Sequence, residues 1–168
     1  MLTNFQLKGS LRFNLDPFKQ HSDEQIWRSL ELCSLRPFVT SLSAGLEHEI
    51  SEHGSNLSLG QRQLVCLSRA ILRKPKILII DEGSAFLDDV TDQIIQKAIR
   101  DEFSESSILT VAHRLNTILD ADRILVIDQG QLAEFGSPAE LLKRQDSVFR
   151  QLANKAGIAD GKEEMKQN

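Results

Sequence analysis

Three stretches of the sequence carry residue types whose spacing could do chemistry on an anion. The first is "LSLGQRQ", residues 57–63. Ser58 can cap a helix, and Gln61 three residues later completes a capping box. Gly60 leaves the backbone bare between them. No Asp or Glu stands in that first turn, although the amide end of a helix carries roughly half a positive charge. Such an end is capped without being neutralised and can receive an anion from outside; a plain capped helix accounts for the same residues. The second stretch is "KILIID", an apolar run that ends in Asp81 and is followed by Glu82. Ligand sites of open parallel sheets lie beyond the carboxyl ends of the strands. Asp81 is placed there to hold Mg2+ on a phosphate chain, directly or through water. Glu82 can polarise an attacking water as general base. An acidic surface turn is the plain alternative. The third is "SILTVAH", ending in His113. An imidazole at that place can hydrogen-bond a terminal phosphate oxygen, or serve structure alone. If the two strands are neighbours, His113 and Glu82 open on the same edge of one sheet.

The rest of the chain must position these groups. Its 168 residues suffice for one domain with a core, and 40% hydrophobic with 26% charged residues is ordinary for a globular protein. A net charge of −4 argues against a nucleic-acid partner, which would need a basic face. The strongest apolar run, Ile77–Ile80, is far shorter than the roughly 20 residues of a membrane helix. No basic-then-apolar signal segment opens the sequence. Cys33 and Cys66 fall in helical segments without Cys or His at metal-ligand spacing, so neither a structural disulfide nor a metal is expected and a reducing cytosolic setting fits.

Periodicity divides the chain in two. Ser22 and Gln25 box the start of a helix, "DEQIWRSLELC", with Ile26, Trp27, Leu30 and Leu32 as its apolar stripe. A polar loop covers residues 41–56. The helix from Ser58 to about Arg73 turns Leu64, Val65, Leu67 and Ile71 inward, and Lys74-Pro75 stops it. Then the period changes. "KILIID" and "SILTVAH" read as strands buried on both faces, with the helix "TDQIIQKAIRDEF" between them. A short helix through "RLNTILDA" leads to a third strand, "RILVID"; "DQGQ" is a tight turn and "LAEFG" a hairpin arm. Ser137-Pro138-Ala139-Glu140 opens another helix, and a last one runs to about Lys155. The charged end, 157–168, is expected to be disordered. The expected class is α/β: a helical part over 10–75, then a mostly parallel sheet with flanking helices over 76–156.

The order and surroundings of these motifs resemble the nucleotide-binding cassette of ABC transporters, a P-loop NTPase-like fold. "LSLGQRQ" looks like the signature motif, "ILIIDE" like the Walker B strand, "SAFLD" (Ser84–Asp88) like the D-loop and "TVAHRL" like the switch-histidine loop. "GSLRFNLDPF" and "NLSLGQRQLVCLSRAIL" resemble the second cassette of the C subfamily, the multidrug-resistance-protein type, in which a larger aliphatic such as Leu59 often takes the third signature position. Glu82 after the Walker B Asp implies the hydrolytically competent second cassette. Gly83 and Ser84 depart from the usual Ala and Thr, with little expected effect. The resemblance spans about Gly9 to Gly157 and makes residues 1–156 a partial ATP-binding domain. It implies ATP and Mg2+ as cofactors. It implies a head-to-tail dimer with a second cassette, membrane domains of a parent exporter as partners, and a place on the cytosolic face of a membrane. Asp81 then organises Mg2+, Glu82 activates water and His113 senses the γ-phosphate. Ser58, Leu59, Gly60, Gln61 and Asp88 face nucleotide, the signature residues reaching ATP held by the opposite cassette. That ATP supplies the anion that the uncompensated helix end lacks.

The resemblance also exposes a gap. The loop G-x-x-x-x-G-K-[ST], which cradles the phosphates, is not in the sequence, nor is an upstream aromatic to stack on adenine. The family's switch glutamine corresponds in position to Leu2, and "LTNFQLK" does not look like family sequence, so residues 1–8 are expected to come from elsewhere. The reading is therefore an N-terminally truncated cassette. Phosphoryl transfer rests on positioning and electrostatics, so these residues alone are expected to bind ATP very weakly and turn over negligibly. The sheet would lack covering strands and expose apolar surface. Two other readings stand beside an ATP-driven exporter piece. One is a non-catalytic cassette fragment that binds or regulates a partner cassette. The other is a DNA-repair ABC ATPase, which would need heptad arms and a basic surface that the sequence does not show.

Overall fold

Local signals in the sequence set most of the element boundaries. The computed structural model describes residues 7–81, 88–112 and 118–157, and contacts gather the chain into two compact units divided between Val111 and Ala112. In the first unit, β1 (Gly9–Ser10) pairs antiparallel with β2 (Glu49–Ile50). Short helix α1 (Leu11–Leu15) starts where Ser10 Oγ accepts the Phe13 N–H at 3.2 Å. The "GSLRFNLDPF" motif is a clasp. Asn14 accepts the Lys8 N–H and donates to the Ser10 carbonyl at 2.8 Å, while buried Asp16 accepts the N–H groups of Gln20 and His21. These bonds satisfy backbone groups that the irregular chain leaves without partners.

The Ser22–Gln25 capping box is formed in both directions at the start of α2 (Asp23–Leu32). Ile26 and Leu30 are fully buried there, while Trp27 and Leu32 pack at the margin of the core. After α3 (Arg36–Ser41), the long helix α4 (Leu59–Arg73) buries Leu64, Val65, Leu67 and Ile71, the face its period predicts. It ends at Lys74 in the left-handed region (φ 43°), before a proline that cannot continue it.

Strand β3 (Ile77–Asp81), helix α5 (Asp89–Glu102) and strand β4 (Ser107–Val111) follow as a β-α-β unit, with β3 and β4 parallel and paired from Ile77↔Ser107 to Asp81↔Val111. Leu78, Ile95, Ile99 and Phe103 join the same core as the helices. The expectation that both strands are buried on both faces is corrected here. The register places Ile77, Ile79, Leu109 and Val111 on one face, and all four are exposed, Ile77 by 67%. A parallel sheet needs a layer on each side. Among the described residues only the Leu78 side has one, in keeping with the expected exposure of apolar surface.

In the second unit, β5 (Ile124–Asp128) and β6 (Gln131–Gly136) form an antiparallel hairpin. Its turn places Gln129 and Gly130 at φ 47° and 76°, the left-handed pair that suits a two-residue hairpin. Pro138 is the first residue of α6 (Pro138–Lys143), boxed by Ser137 and Glu140, and α7 (Val148–Lys155) follows. Ile124, Leu141 and Phe149 form a small core of their own. The first half of the expected helix through "RLNTILDA", residues 114–117, falls outside the described residues, as does the tail beyond 157. Among the described residues no helix is long and apolar enough to cross a membrane.

Candidate functional site

The first turn of α4 brings Ser58, Leu59, Gly60 and Gln61 together. Ser58 Oγ accepts the Gln61 N–H at 3.1 Å, and Gln61 Oε1 accepts the Ser58 N–H at 2.9 Å. The Arg62 N–H closes the first intrahelical bond, to the Ser58 carbonyl. That leaves the N–H groups of Leu59 and Gly60 without an acceptor among the described residues, together with the hydroxyl hydrogen of Ser58. No acidic residue lies in the turn. The Arg62 guanidinium is turned to the preceding loop, donating to the His53 carbonyl at 3.3 Å, with its Nε buried without a partner. Three donors and a helix end make a surface for an anion.

The start of α7 shows how this chain treats another such end. There Glu134, from β6, accepts the Val148 N–H at 2.9 Å and the Phe149 N–H at 3.0 Å, and Ser147 Oγ donates to it at 3.0 Å. Desolvation pushes the Glu134 carboxyl up, but the donors of Phe149, Val148 and Ser147 outweigh it and hold the group below its ordinary range. An in-chain carboxylate accepts from the start of α7; none among the described residues does so for α4.

The approach to α4 is fixed by the residues before it. Asn56 accepts the Ser51 N–H and donates to the Glu49 carbonyl, and Leu57 is buried. Gly54 adopts φ 67°, and a β-carbon there would lie 2.9 Å from Arg62 Cδ and 3.0 Å from Leu7 Cδ1. Gly54→Ala should lower stability by at least ~1 kcal/mol, the cost of a left-handed non-glycine residue. A urea midpoint unchanged from wild type would contradict this.

Gly60 has a neighbour of its own. A β-carbon on Gly60 would sit 3.1 Å from Thr91 Oγ1 and 3.2 Å from its Cγ2. Thr91 is held by Asp88, the N-cap of α5: the Thr91 N–H donates to Asp88 Oδ1 at 2.9 Å and Thr91 Oγ1 donates to Oδ2 at 2.8 Å. These two bonds hold the Asp88 carboxyl below its ordinary range. Sequence reasoning missed Thr91 and placed the helix start at it; the Asp-x-x-Thr spacing of an N-cap was the available signal. It also missed Glu134, whose contacts lie 13 to 15 residues away and leave no local pattern.

Asp81 ends β3 opposite Val111, and its carboxylate has no hydrogen bond or ion pair among the described residues. The two strands are parallel neighbours and end level, Asp81 opposite Val111; Glu82 and His113 are expected beyond their ends. Those two residues themselves lie outside the described residues. No group of three or more His, Cys, Asp or Glu able to hold a metal occurs among the described residues. Cys33 and Cys66 are free and buried; burial pushes their thiols up to about 11 and about 12, so both are neutral and poor ligands.

Comparison with known proteins gives this geometry a setting. Residues 4–85 match the ABC transporter family. The chain is 56% identical over 150 residues to ATP-binding cassette sub-family C member 2 of Rattus norvegicus, covering 89% of this chain and 10% of that protein. It is 53% identical over 151 residues to sub-family C member 3 of the same species, covering 90% and 10%. A probable multidrug resistance-associated protein of Drosophila melanogaster is 51% identical over 152 residues, at 90% and 11% coverage. The chain thus spans about a tenth of the length of the curated relatives it matches. Among solved structures, a bacterial Atm1-family ABC exporter with ATP bound superposes with a TM-score of 0.78 at 33% identity, over 88% of this chain and 26% of that one. The α4 turn and β3 lie inside the matched family segment, α5 and β4 follow it, and the chain shares the sequence of ABC transporter nucleotide-binding regions and the ABC cassette fold.

Proposed function

We propose that this chain contributes the amino end of α4 to a composite ATP site, shared head to tail with a second cassette, in an exporter of the C subfamily. The observation that carries this reading is the set of free donors at Ser58, Leu59 and Gly60, with no carboxylate in the turn. A γ-phosphate held by the partner satisfies all three. Gln61, locked in the capping box through its carbonyl oxygen, presents its amide NH2 beside them.

The other assignments follow the family resemblance. Residues 10–75 serve as the helical signature subdomain and 76–156 as the core that carries Walker B and the switch histidine. Asp81, whose carboxylate has no partner among the described residues, would be the residue of this chain that holds Mg2+. The ion would supply charge neutralisation on the nucleotide. Glu82 orients and deprotonates water, and His113 donates to the γ-phosphate. Glu82 also supports assignment to the second cassette. The parent's membrane domains would place this chain on the cytosolic face, coupling ATP hydrolysis to export.

The 168 residues contain no phosphate-cradling loop, so they act on ATP only in company. The test mixes the chain with a complete C-subfamily cassette disabled in its own signature turn. The chain alone should be silent, and the mixture should hydrolyse ATP in proportion to added chain. Turnover by the chain alone, or no stimulation by a folded chain, would sink the proposal.

A further inference from the structure

Thr91 has a position that no signature or Walker motif accounts for. It is the third residue of α5, yet its side chain lies against Gly60, at the second position of α4. Thr91 meets the turn at Gly60, and its hydrogen bonds among the described residues go to Asp88, not to the Leu59 or Gly60 N–H groups. Its rotamer is not free. Both oxygens of Asp88 are engaged with Thr91, one through the backbone N–H and one through the hydroxyl at 2.8 Å.

We infer that Thr91 is a positioning residue for the signature turn: locked by Asp88, it braces Gly60 from the side and fixes where the Leu59 and Gly60 amides point. The inference deepens the proposed function and rests on it for its consequence in turnover. The brace makes Asp88 a support for the donor set within its own chain. Any event that draws the Asp88 carboxylate away releases the Thr91 hydroxyl and, with it, the wall against Gly60. The start of α5 and the start of α4 then move together.

Two measurements test this, and they fail separately. The first is a double-mutant cycle on the 168-residue chain, read by urea midpoint. Gly60→Ala should destabilise wild type, because the new methyl pushes Thr91 Oγ1 off Asp88. In a Thr91→Ala background the same substitution should be neutral or stabilising. Equal midpoint shifts in both backgrounds would overturn the brace, whatever the chain does with ATP. If Thr91→Ala alone does not fold, Thr91→Ser serves as the background, where removal of Cγ2 should reduce the Gly60→Ala shift to about half. The second measurement uses the mixed ATPase assay. Thr91→Ala should lower kcat about ten-fold without changing the half-saturating ATP or the chain concentration for half-maximal stimulation, and Thr91→Ser should restore it. A mere loss of folded protein would raise the chain concentration required and leave kcat intact, contradicting the positioning role. Absence of stimulation by wild type would count against the composite site, while the cycle still decides the brace.

Discussion

Leu59→Glu should make this chain more stable and abolish its action on a partner's ATP. Leu59 is 38% exposed at the first position of α4, so a glutamate fits without repacking. A carboxylate in the first turn interacts favourably with the helix dipole, by about 0.3–1 kcal/mol. The same charge repels an incoming phosphate. At ~5.5 Å and an effective dielectric of ~20, repulsion between two unit charges is about 3 kcal/mol, or about a hundred-fold in the mixed ATPase rate. Urea denaturation and the mixed assay should therefore move in opposite directions. If the variant stimulates as well as wild type, no anion approaches that turn. Few substitutions separate stability from function so cleanly, because most damage both.

The second large effect belongs to the other unit. Glu134→Ala removes the acceptor for two amides and a hydroxyl at the start of α7. Leaving those donors unmatched should cost about 2 kcal/mol, or about thirty-fold faster hydrogen exchange along α7. The same contact is pH-dependent, and its sign is fixed by the direction of the shift. The folded carboxyl lies below its ordinary value of 4.5, so its contribution is complete above about pH 4.5 and fades as pH falls through the folded value. Protection of α7 that is unchanged in Glu134→Ala, or that falls on raising the pH from 5 to 7, would contradict this cap.

These two helix starts explain what could be read without coordinates. The boxes at Ser22–Gln25, Ser58–Gln61 and Ser137–Glu140 were legible because donor and acceptor lie three residues apart. The inward face of α4 was legible from its period, and the β5–β6 turn from Gln129-Gly130. Glu134 was not legible, because the strand that delivers it meets α7 only after the chain folds back. Thr91 was missed for a related reason. Its own helix start could be read from Asp88, but not that α5 would set it against Gly60. Burial of β3 and β4 was misjudged because an apolar run reports what a strand can bury, and the covering layer is a property of other segments. Ile77 and Leu109 would be inner residues under such a layer and are open without one among the described residues.

Within the candidate site, the sequence pointed to the α4 turn and to Asp81, and the structure adds reasons for each. The turn has donors without acceptors, and Asp81 has a carboxylate without partners, among the described residues. The proposed roles of Glu82 and His113 rest on the family resemblance, and both residues lie outside the described ones. Gly60 has a structural reason to lack a side chain, apart from the proposed phosphate contact: it makes room for Thr91.

The most direct test of the composite site watches the Leu59 and Gly60 amides themselves. Isotope-labelled chain would be mixed with an unlabelled complete cassette, hydrolysis-deficient so that nucleotide stays bound, first loaded with ADP and then with ATP and Mg2+. The composite-site account predicts downfield shifts of both amide protons with ATP and not with ADP, abolished by Leu59→Glu. Amides that ignore the γ-phosphate while the two proteins demonstrably bind would contradict it.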